Sequence, residues 1–142
     1  MEIIMDEKKI NELISTAVSA RENAYSPYSN FCVGAALLSS DGEIFVGANV
    51  ENVSYGGTIC AERSAFVTAV SRGVRDFSAI AIVGAPRGAK IEKKCPPCGI
   101  CRQFMSELCR ADFKVILFDG KTSYVKTLGE LLPETFDGDN LI

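Results

Sequence analysis

Residues 31–48 read FCVGAALLSSDGEIFVGA, which is typical of a β-hairpin. Two apolar runs of strand length, residues 31–38 and 44–48, flank the tetrapeptide Ser39-Ser40-Asp41-Gly42. An Asp-Gly pair between two apolar runs is a strong signal for a tight turn between antiparallel strands. The hairpin therefore gives a fixed point from which the rest of the chain can be interpreted.

A helix and a loop precede this hairpin. Apolar residues recur at helical spacing over residues 6–23, which predicts an amphipathic helix. The opposite side of this helix carries charged residues that we expect to face solvent: Lys8, Lys9, Glu12 and Arg21. Pro27 and the small polar residues around it predict a structured loop that leads into the hairpin.

Helices and strands alternate after the hairpin. The pattern predicts, in order, a helix over 60–72, a strand over 79–84, a helix over 98–110, a strand over 113–118, a short strand at 124–125 and a helical turn over 128–132. Strands joined through helices usually run parallel, whereas hairpin strands run antiparallel. We therefore expect residues 1–142 to form one domain with an α/β fold. Its three layers, α-β-α, have a mixed five-stranded sheet in the centre.

Composition narrows the classes of protein. The 142 residues carry a net charge of −3 and contain no long run of Lys or Arg, which argues against a nucleic-acid partner. The apolar stretches are too short to span a bilayer, so we expect a soluble protein without a membrane partner. The first residues, MEIIMDE, lack the pattern of an export signal, and we expect a cytoplasmic location.

The chain has six cysteines and no histidine. In a reducing compartment, cysteines indicate metal binding or redox chemistry before disulfides. The lack of histidine excludes Ser-His-Asp and Cys-His nucleophilic mechanisms, zinc sites with histidine ligands, and an imidazole base.

Two cysteine-containing segments fall at the starts of predicted helices: TICAER at residues 58–63 and CPPCGICR at residues 95–102. Helix N-termini favour the thiolate form that binds metals. Three sulfurs on one zinc ion leave its fourth position for water, as in catalytic sites. We expect Cys60, Cys98 and Cys101 to be these ligands of one Zn²⁺ per chain, with Cys95 as a spare thiol or a fourth ligand that closes the site.

Charged residues accompany the expected ligands. Glu62 follows Cys60 by two residues, close enough to take a proton from the attacking water and deliver it to a substrate. Three thiolates and a divalent cation sum to −1, and a nearby arginine would offset that charge by hydrogen bonds to sulfur. Arg63 is the first candidate and Arg102 the second; each could instead cap or solvate its helix.

Other interpretations of the cysteines stay open at this point. Cys32, in a strand, and Cys109, on a helix, are typical of small buried apolar residues. A structural zinc module would use Cys95 as its fourth ligand and would leave no room for water. A thiol redox protein would bind little metal and would form a reversible disulfide between Cys98 and Cys101.

The segments Cys-Ala-Glu at 60–62 and Pro-Cys-x-x-Cys at 97–101 closely resemble the signature of the cytidine deaminase superfamily, whose first ligand is histidine or cysteine. The three-cysteine form is similar to the small homotetrameric cytidine deaminases. Further segments agree with the resemblance: YSPYSNFCVGAA at 25–36, GANVEN at 47–52, CRQ at 101–103 and LLP at 131–133. One departure is Cys32, where the family usually has proline.

The resemblance implies roles for further residues. Asn49 and Glu51 would bind the ribose, with Glu51 on the 3′-hydroxyl. Phe31 would pack on the pyrimidine, and the backbone at Ala61 together with Glu62 would contact the base edge. Phe136 would reach into the active site of a neighbouring subunit, and Tyr55 would lie near the subunit boundary. From the residues alone, a turn, solvated charge, core packing or interface packing would explain these positions equally well.

The function that the resemblance implies is zinc-dependent hydrolysis of cytidine and 2′-deoxycytidine to uridine and 2′-deoxyuridine with release of ammonia, a reaction of pyrimidine salvage. The implied assembly is a homotetramer with active sites at subunit interfaces. The alternative is a related zinc deaminase of another amino-heterocycle, such as an aminonucleoside antibiotic.

Overall fold

The structure is a computed structural model that describes residues 5–141. Residues 1–4 and 142 lie outside the described part. The expectation about an export signal concerns residues 1–7, of which the first four lie outside the described part. Both ends of the predicted domain, residues 1 and 142, lie outside it as well. Between residues 5 and 141, no helix is long and apolar enough to cross a bilayer.

Helices and strands follow the order that the sequence predicts. They are α1 (Glu7–Ala20), β1 (Phe31–Ser39), β2 (Ile44–Ala48), α2 (Ala61–Ser71), β3 (Phe77–Pro86), α3 (Gly99–Leu108), β4 (Lys114–Phe118), β5 (Ser123–Thr127) and α4 (Leu128–Leu131). Short 3₁₀ turns occur at Arg21–Asn23, Tyr55–Gly57 and Gly138–Leu141. The predicted boundaries differ from these by a few residues, so that Cys109 lies just beyond the end of α3.

The five strands form one sheet in the order β2-β1-β3-β4-β5. β3 and β4 pair in parallel, and the other neighbours pair antiparallel. Because β1 is antiparallel to both β2 and β3, those two strands share one direction. Each of the two strand-helix-strand connections thus joins strands of the same direction, and the predicted mixed five-stranded sheet is confirmed.

The hairpin forms where the sequence predicts it. Ala36 of β1 pairs with Val46 of β2, and the Ser39 N–H donates to the Glu43 carbonyl at 2.9 Å to close the turn. β1 lies between β2 and β3 in the sheet. Its pairing with β3 begins at Phe31↔Pro86.

Helix α1 covers one face of the sheet. Leu13, Ala17 and Leu38 are buried in a core cluster on this side. The helix lies so close to β1 that a Cβ on Gly34 would come 2.0 Å from the Ala17 carbonyl oxygen. Any side chain there would force α1 off the sheet.

Helices α2 and α3 cover the opposite face. Phe66 of α2 and Met105 of α3 are fully buried there. A Cβ on Gly47 of β2 would lie 2.3 Å from the Ala61 carbonyl oxygen, so the first turn of α2 rests on the backbone of β2. This contact fixes the start of α2 relative to the sheet.

The expectation that Arg21 faces solvent is wrong. Its side chain is 5% exposed, and its guanidinium donates to the carbonyl oxygens of Cys32, Ala85, Pro86 and Ala89 at 2.8–3.2 Å. The α-helix ends at Ala20, so Arg21 leaves the polar side of α1 and turns toward the sheet. Its aliphatic stem and five donors suit a buried site rich in carbonyl groups.

One edge of the sheet collects the segments that carry the unusual residues. β2 and β3 end at the same edge because they run in the same direction, and the loops that follow them lead to the starts of α2 and α3. β1 runs the other way and begins at that edge with Phe31. Ligands of open α/β sheets bind at such an edge, outside the carboxyl ends of the strands.

Candidate functional site

Three cysteine sulfurs meet at this edge. Cys60, Cys98 and Cys101 place their Sγ atoms within 4.8 Å of one another, and the Cys60 and Cys98 sulfurs are 3.9 Å apart. Two zinc–sulfur bonds of about 2.3 Å at a tetrahedral angle separate their sulfurs by roughly 3.8 Å. The sulfur set therefore fits zinc both in chemistry and in spacing.

The starts of two helices hold these sulfurs. Cys60 directly precedes α2 and Cys98 directly precedes α3, and neither side chain caps its helix by a hydrogen bond. Cys101 lies in the first turn of α3 and is fully buried. The sulfurs thus stand at the positive ends of two helix dipoles, which favour their charged form.

The sulfurs also interact electrically. The neighbouring Cys101 thiol, followed by Arg63, holds the pKa of Cys60 below its ordinary value. The pKa of Cys101 is raised, first by Cys60 and then by burial. The contact between these two sulfurs thus favours the charged form of Cys60 and the neutral form of Cys101, and a metal ion that binds the sulfurs as thiolates displaces their protons.

Arg63 is the arginine that reaches a sulfur. Its Nη2 atom lies 3.5 Å from Cys60 Sγ and 3.3 Å from the Thr58 carbonyl oxygen. Its Nε atom is buried and has no hydrogen-bond partner within residues 5–141. The site thus keeps a positive charge against the sulfurs, where it can offset the net negative charge of three thiolates and one divalent ion.

Arg102 has different partners. Its Nε donates to the Pro97 carbonyl and its Nη1 to the Leu131 carbonyl, each at 2.8 Å. These bonds tie the loop before Cys98 to the end of α4. Arg102 therefore fastens the segment that carries the second sulfur and makes no bond to sulfur within the described residues.

Glu62 lies in the first turn of α2 beside the sulfurs. Its side chain is 4% exposed, and burial, followed by the charge of Cys60, raises the pKa of its carboxyl group. A carboxyl group whose pKa lies closer to neutrality can both accept and return a proton. Geometry and burial thus suit Glu62 to proton transfer.

Cys95 lies outside the sulfur group. Its Sγ atom packs against Gly84 beside the ring of Phe31, and burial raises the pKa of its thiol to about 11. The group of three sulfurs consists of Cys60, Cys98 and Cys101 and does not include Cys95. Within residues 5–141, the sulfur group therefore lacks the fourth sulfur that a closed structural zinc site would use.

The hairpin and the loop after β2 supply polar and aromatic groups at the same edge of the sheet. Asn49 is 8% exposed; its Oδ1 accepts from the Val33 N–H and its Nδ2 donates to the Phe31 carbonyl, each at 2.9 Å. Phe31 itself is 38% exposed. Ala61 is fully buried between Cys60 and Glu62 in the chain.

Glu51 and Tyr55 line a cavity of about 270 Å³ together with Tyr28, Ser29, Asn52 and Thr58. The ring of Tyr55 is 74% exposed and meets the edge of Tyr28, with ring centres 5.9 Å apart. Phe136 is not among the lining residues; it is 56% exposed, and its carbonyl accepts from Gln103 Nε2 at 2.8 Å. Residues 25–31 and 49–58 are neighbouring segments that together form the hairpin edge. Every expected substrate residue except Phe136 therefore lies either in the hairpin edge or at the start of α2.

The family described as the cytidine and deoxycytidylate deaminase zinc-binding region matches residues 7–117. The chain belongs to this deaminase family. That membership confirms the expected class of enzyme, a zinc-dependent hydrolytic deaminase. The sulfur group at the starts of α2 and α3 is the part of this family member that could bind the metal.

Individual relatives agree with the family assignment. The chain is 51% identical over 131 residues to a cytidine deaminase of Halalkalibacterium halodurans. The aligned residues cover 91% of this chain and 95% of that protein. The crystal structure of cytidine deaminase from Burkholderia pseudomallei superposes with a TM-score of 0.81 at 47% identity, covering 89% of this chain and 98% of that one. A weaker match, 36% identical over 105 residues, is a blasticidin-S deaminase of Bacillus cereus, with 71% of this chain and 74% of that protein covered.

Sequence reasoning did not single out two residues of this deaminase that the structure places at the edge. Ser29 donates through its hydroxyl to Glu51, and Tyr28 and Ser29 each donate a backbone N–H to the same carboxylate. Both residues lie within a family-like segment, but backbone donors carry no signature in the sequence. Only the folded loop reveals what they bind.

Proposed function

We propose that the protein deaminates cytidine and 2′-deoxycytidine hydrolytically, giving uridine or 2′-deoxyuridine and ammonia. The observation that carries this proposal is the meeting of three sulfurs with the buried carboxyl group of Glu62 at two helix starts. The relatives named cytidine deaminase support the choice of substrate.

In this proposal, Cys60, Cys98 and Cys101 hold one zinc ion, and Arg63 offsets the negative charge of their sulfurs through its contact with Cys60. The ion, when bound, acts as a Lewis acid and lowers the pKa of water at the site to about 7. Arg102 keeps the Pro97–Cys98 segment in place through its two carbonyl contacts.

Glu62 moves the protons in this proposal. It accepts a proton from the attacking water and delivers it to N3 of the cytosine ring. It then takes the proton of the hydroxyl group that has been added to C4 and passes it to the departing amine, so that the C4–N bond breaks and the C4 carbonyl forms. Burial of its carboxyl group raises its pKa, which helps it hold a proton between these two transfers. The same burial shields the transfers from bulk water.

Residues of the hairpin edge recognise the nucleoside in this proposal. Phe31 packs on the pyrimidine ring, and the backbone at Ala61 together with Glu62 binds the base edge. Asn49 and Glu51 bind the ribose, with Glu51 on the 3′-hydroxyl. A carboxylate at that position repels a 3′-phosphate, which disfavours nucleic acid as a substrate, as does the net charge of −3.

The proposed assembly is a homotetramer. Tyr55 and Phe136 expose 74% and 56% of their surfaces in one chain, as expected of aromatic residues that a second subunit covers. Phe136 would then contribute to a neighbouring active site. Sedimentation at working concentration tests this, since a monomer with full activity would contradict both roles. A cytoplasmic role in pyrimidine salvage completes the proposal.

A second candidate substrate is another amino-heterocycle, favoured by the match to a blasticidin-S deaminase. The test is a panel of cytidine, 2′-deoxycytidine, cytidine 5′-monophosphate, single-stranded DNA and blasticidin S, each followed by the ultraviolet absorbance of its amino-heterocycle. We expect turnover of cytidine and 2′-deoxycytidine well above the rest. Turnover of blasticidin S without turnover of cytidine would contradict the first candidate and establish the second.

A further inference from the structure

The hydroxyl group of Ser29 lies between two segments of the hairpin edge. It donates to Glu51 Oε2 and accepts the backbone N–H of Phe31 at 3.0 Å. One small side chain thus links the carboxylate proposed to bind the sugar with the main chain of the residue proposed to pack on the base.

Donors from the loop before β1 take most of the acceptor positions of the Glu51 carboxylate. Its Oε1 accepts the N–H groups of Tyr28 at 3.0 Å and Ser29 at 3.1 Å, and its Oε2 accepts the Ser29 hydroxyl. A carboxylate offers about four acceptor positions. These three bonds leave one position, on Oε2, for a donor from a substrate.

The hydrogen bond from Ser29, followed by those from the two amides, keeps the pKa of Glu51 below its usual value. The carboxylate is therefore ionised and accepts hydrogen bonds without donating any. A sugar hydroxyl suits the remaining position because it can donate, whereas a phosphate cannot.

The loop around Ser29 is built to keep it in place. Asn30 adopts a left-handed backbone with φ of 60°, and its N–H donates to the Ser26 carbonyl at 2.9 Å. The Glu51 N–H donates to the Tyr25 carbonyl at 2.8 Å, which joins the two segments a second time. Ser29 therefore faces Glu51 through a fixed turn.

We propose that Ser29 is a positioning residue that sets the preference of the enzyme for nucleosides with a free 3′-hydroxyl, by orienting Glu51 Oε2 toward that group. The proposal rests on the proposed function, in which Glu51 binds the 3′-hydroxyl. Ser29 acts through Glu51 and through the main chain of Phe31, and it does not touch the reacting atoms.

The test compares kcat/KM for cytidine with kcat/KM for 3′-deoxycytidine in the zinc-loaded enzyme. In Ser29→Ala we expect this ratio to fall roughly tenfold, because a hydrogen bond to a charged group is lost. Activity on 2′-deoxycytidine, which keeps the 3′-hydroxyl, should fall in parallel with that on cytidine. Ser29→Thr restores the hydroxyl and should restore the ratio.

Ser78→Ala is the matched control. This serine is half-buried near the other end of β1, where its hydroxyl bonds to Ser40 Oγ at 3.4 Å, and its loss should leave the ratio at the wild-type value. A general loss of stability would lower activity on cytidine and 3′-deoxycytidine alike and would leave the ratio unchanged. An unchanged ratio in Ser29→Ala would overturn the proposal.

Two further variants keep the test decisive. Ser29→Cys preserves the size of the side chain with a weak donor, and it should show the same loss if Ser29→Ala does not fold. Ser29→Ala combined with Glu51→Gln should have the ratio of Glu51→Gln alone, because Ser29 acts through Glu51; an additive loss would contradict that. Failure of the wild-type enzyme to deaminate cytidine would instead overturn the proposed function itself.

Discussion

Helices α1 and α4 begin differently from helices α2 and α3. The side chain of Asp6 accepts the Lys9 N–H at the start of α1 at 2.9 Å. Thr127 and Glu130 form a reciprocal capping box at the start of α4. Cys60 and Cys98 occupy the same position in α2 and α3 and make no capping bond.

This difference separates stability from function within one fold. A capping side chain stabilises a helix by about 1 kcal/mol. Helices α2 and α3 forgo that contribution, and their free N–H groups and dipoles face the sulfurs instead. Two helix starts thus serve the fold, and two stand at the proposed metal site.

The largest expected effect is the loss of a sulfur at an uncapped start. Cys60→Ala should bind zinc poorly and lose activity by about a thousandfold or more, since the metal supplies the activated water. Asp6→Ala, at a capped start, should keep both. Zinc content by atomic absorption, measured beside cytidine turnover, checks this prediction. Full zinc content in active Cys60→Ala would remove Cys60 from the metal site.

Removal of the charge beside the sulfurs should have a smaller effect. Arg63→Met takes away the group 3.5 Å from Cys60 Sγ, and partners of metal ligands typically contribute 10- to 100-fold in metal affinity or activity. Arg63→Lys keeps the charge and should lose less. Arg110→Met is a control at a 91% exposed arginine. Zinc titration and turnover give the comparison, and equal behaviour of Arg63→Met and Arg110→Met would contradict the role of Arg63.

Loss of a capping side chain should affect stability only. Thr127→Ala removes the hydroxyl group that accepts the Glu130 N–H and donates to the Glu130 carboxylate, at a cost of about 1 kcal/mol. Turnover per zinc should stay at the wild-type value, and Thr127→Ser should recover most of the stability. Urea denaturation measures the change. A drop in turnover per zinc would show that α4 also serves the site.

The smallest effect is the most specific to this comparison. Cys98→Asp places a good capping residue at an uncapped start, and the metal-free protein should gain about 0.5–1 kcal/mol in its free energy of unfolding. Cys98→Ala, which cannot cap, should bring no such gain. Urea denaturation in the presence of a chelator tests both. Equal stability of the two variants would mean that the open start of α3 carries no stability cost.

Local patterns predicted most of the fold from the sequence. The hairpin over residues 31–48 was predicted because a turn signal stands between two apolar runs. The three sulfurs were found because each lies at a helix start within a short, unusual segment. These features depend on residues close together in the chain.

Contacts between residues far apart in the chain could not be predicted from local sequence patterns. Helical spacing puts Arg21 on the solvent side of α1. The spacing cannot show that three carbonyl partners of Arg21 come from residues 85–89, which are distant in the sequence. Arg63 and Arg102 follow their cysteines by three and four residues, and that difference of one position points them to different partners. The bond from Ser29 to Glu51 joins segments 22 residues apart. The roles proposed for Phe31, Asn49, Glu51, Tyr55, Ala61 and Phe136 remain predictions.

The most direct test of the proposed reaction compares wild type with Glu62→Gln at equal, measured zinc content. The variant preserves the size of the buried side chain but cannot carry a proton. Glu130→Gln, also in a first helical turn, is the matched control. We predict that wild type and Glu130→Gln reduce the cytidine absorbance at similar rates, while Glu62→Gln retains zinc and is slower by roughly a thousandfold. Turnover of cytidine by zinc-loaded Glu62→Gln at the wild-type rate would contradict the account.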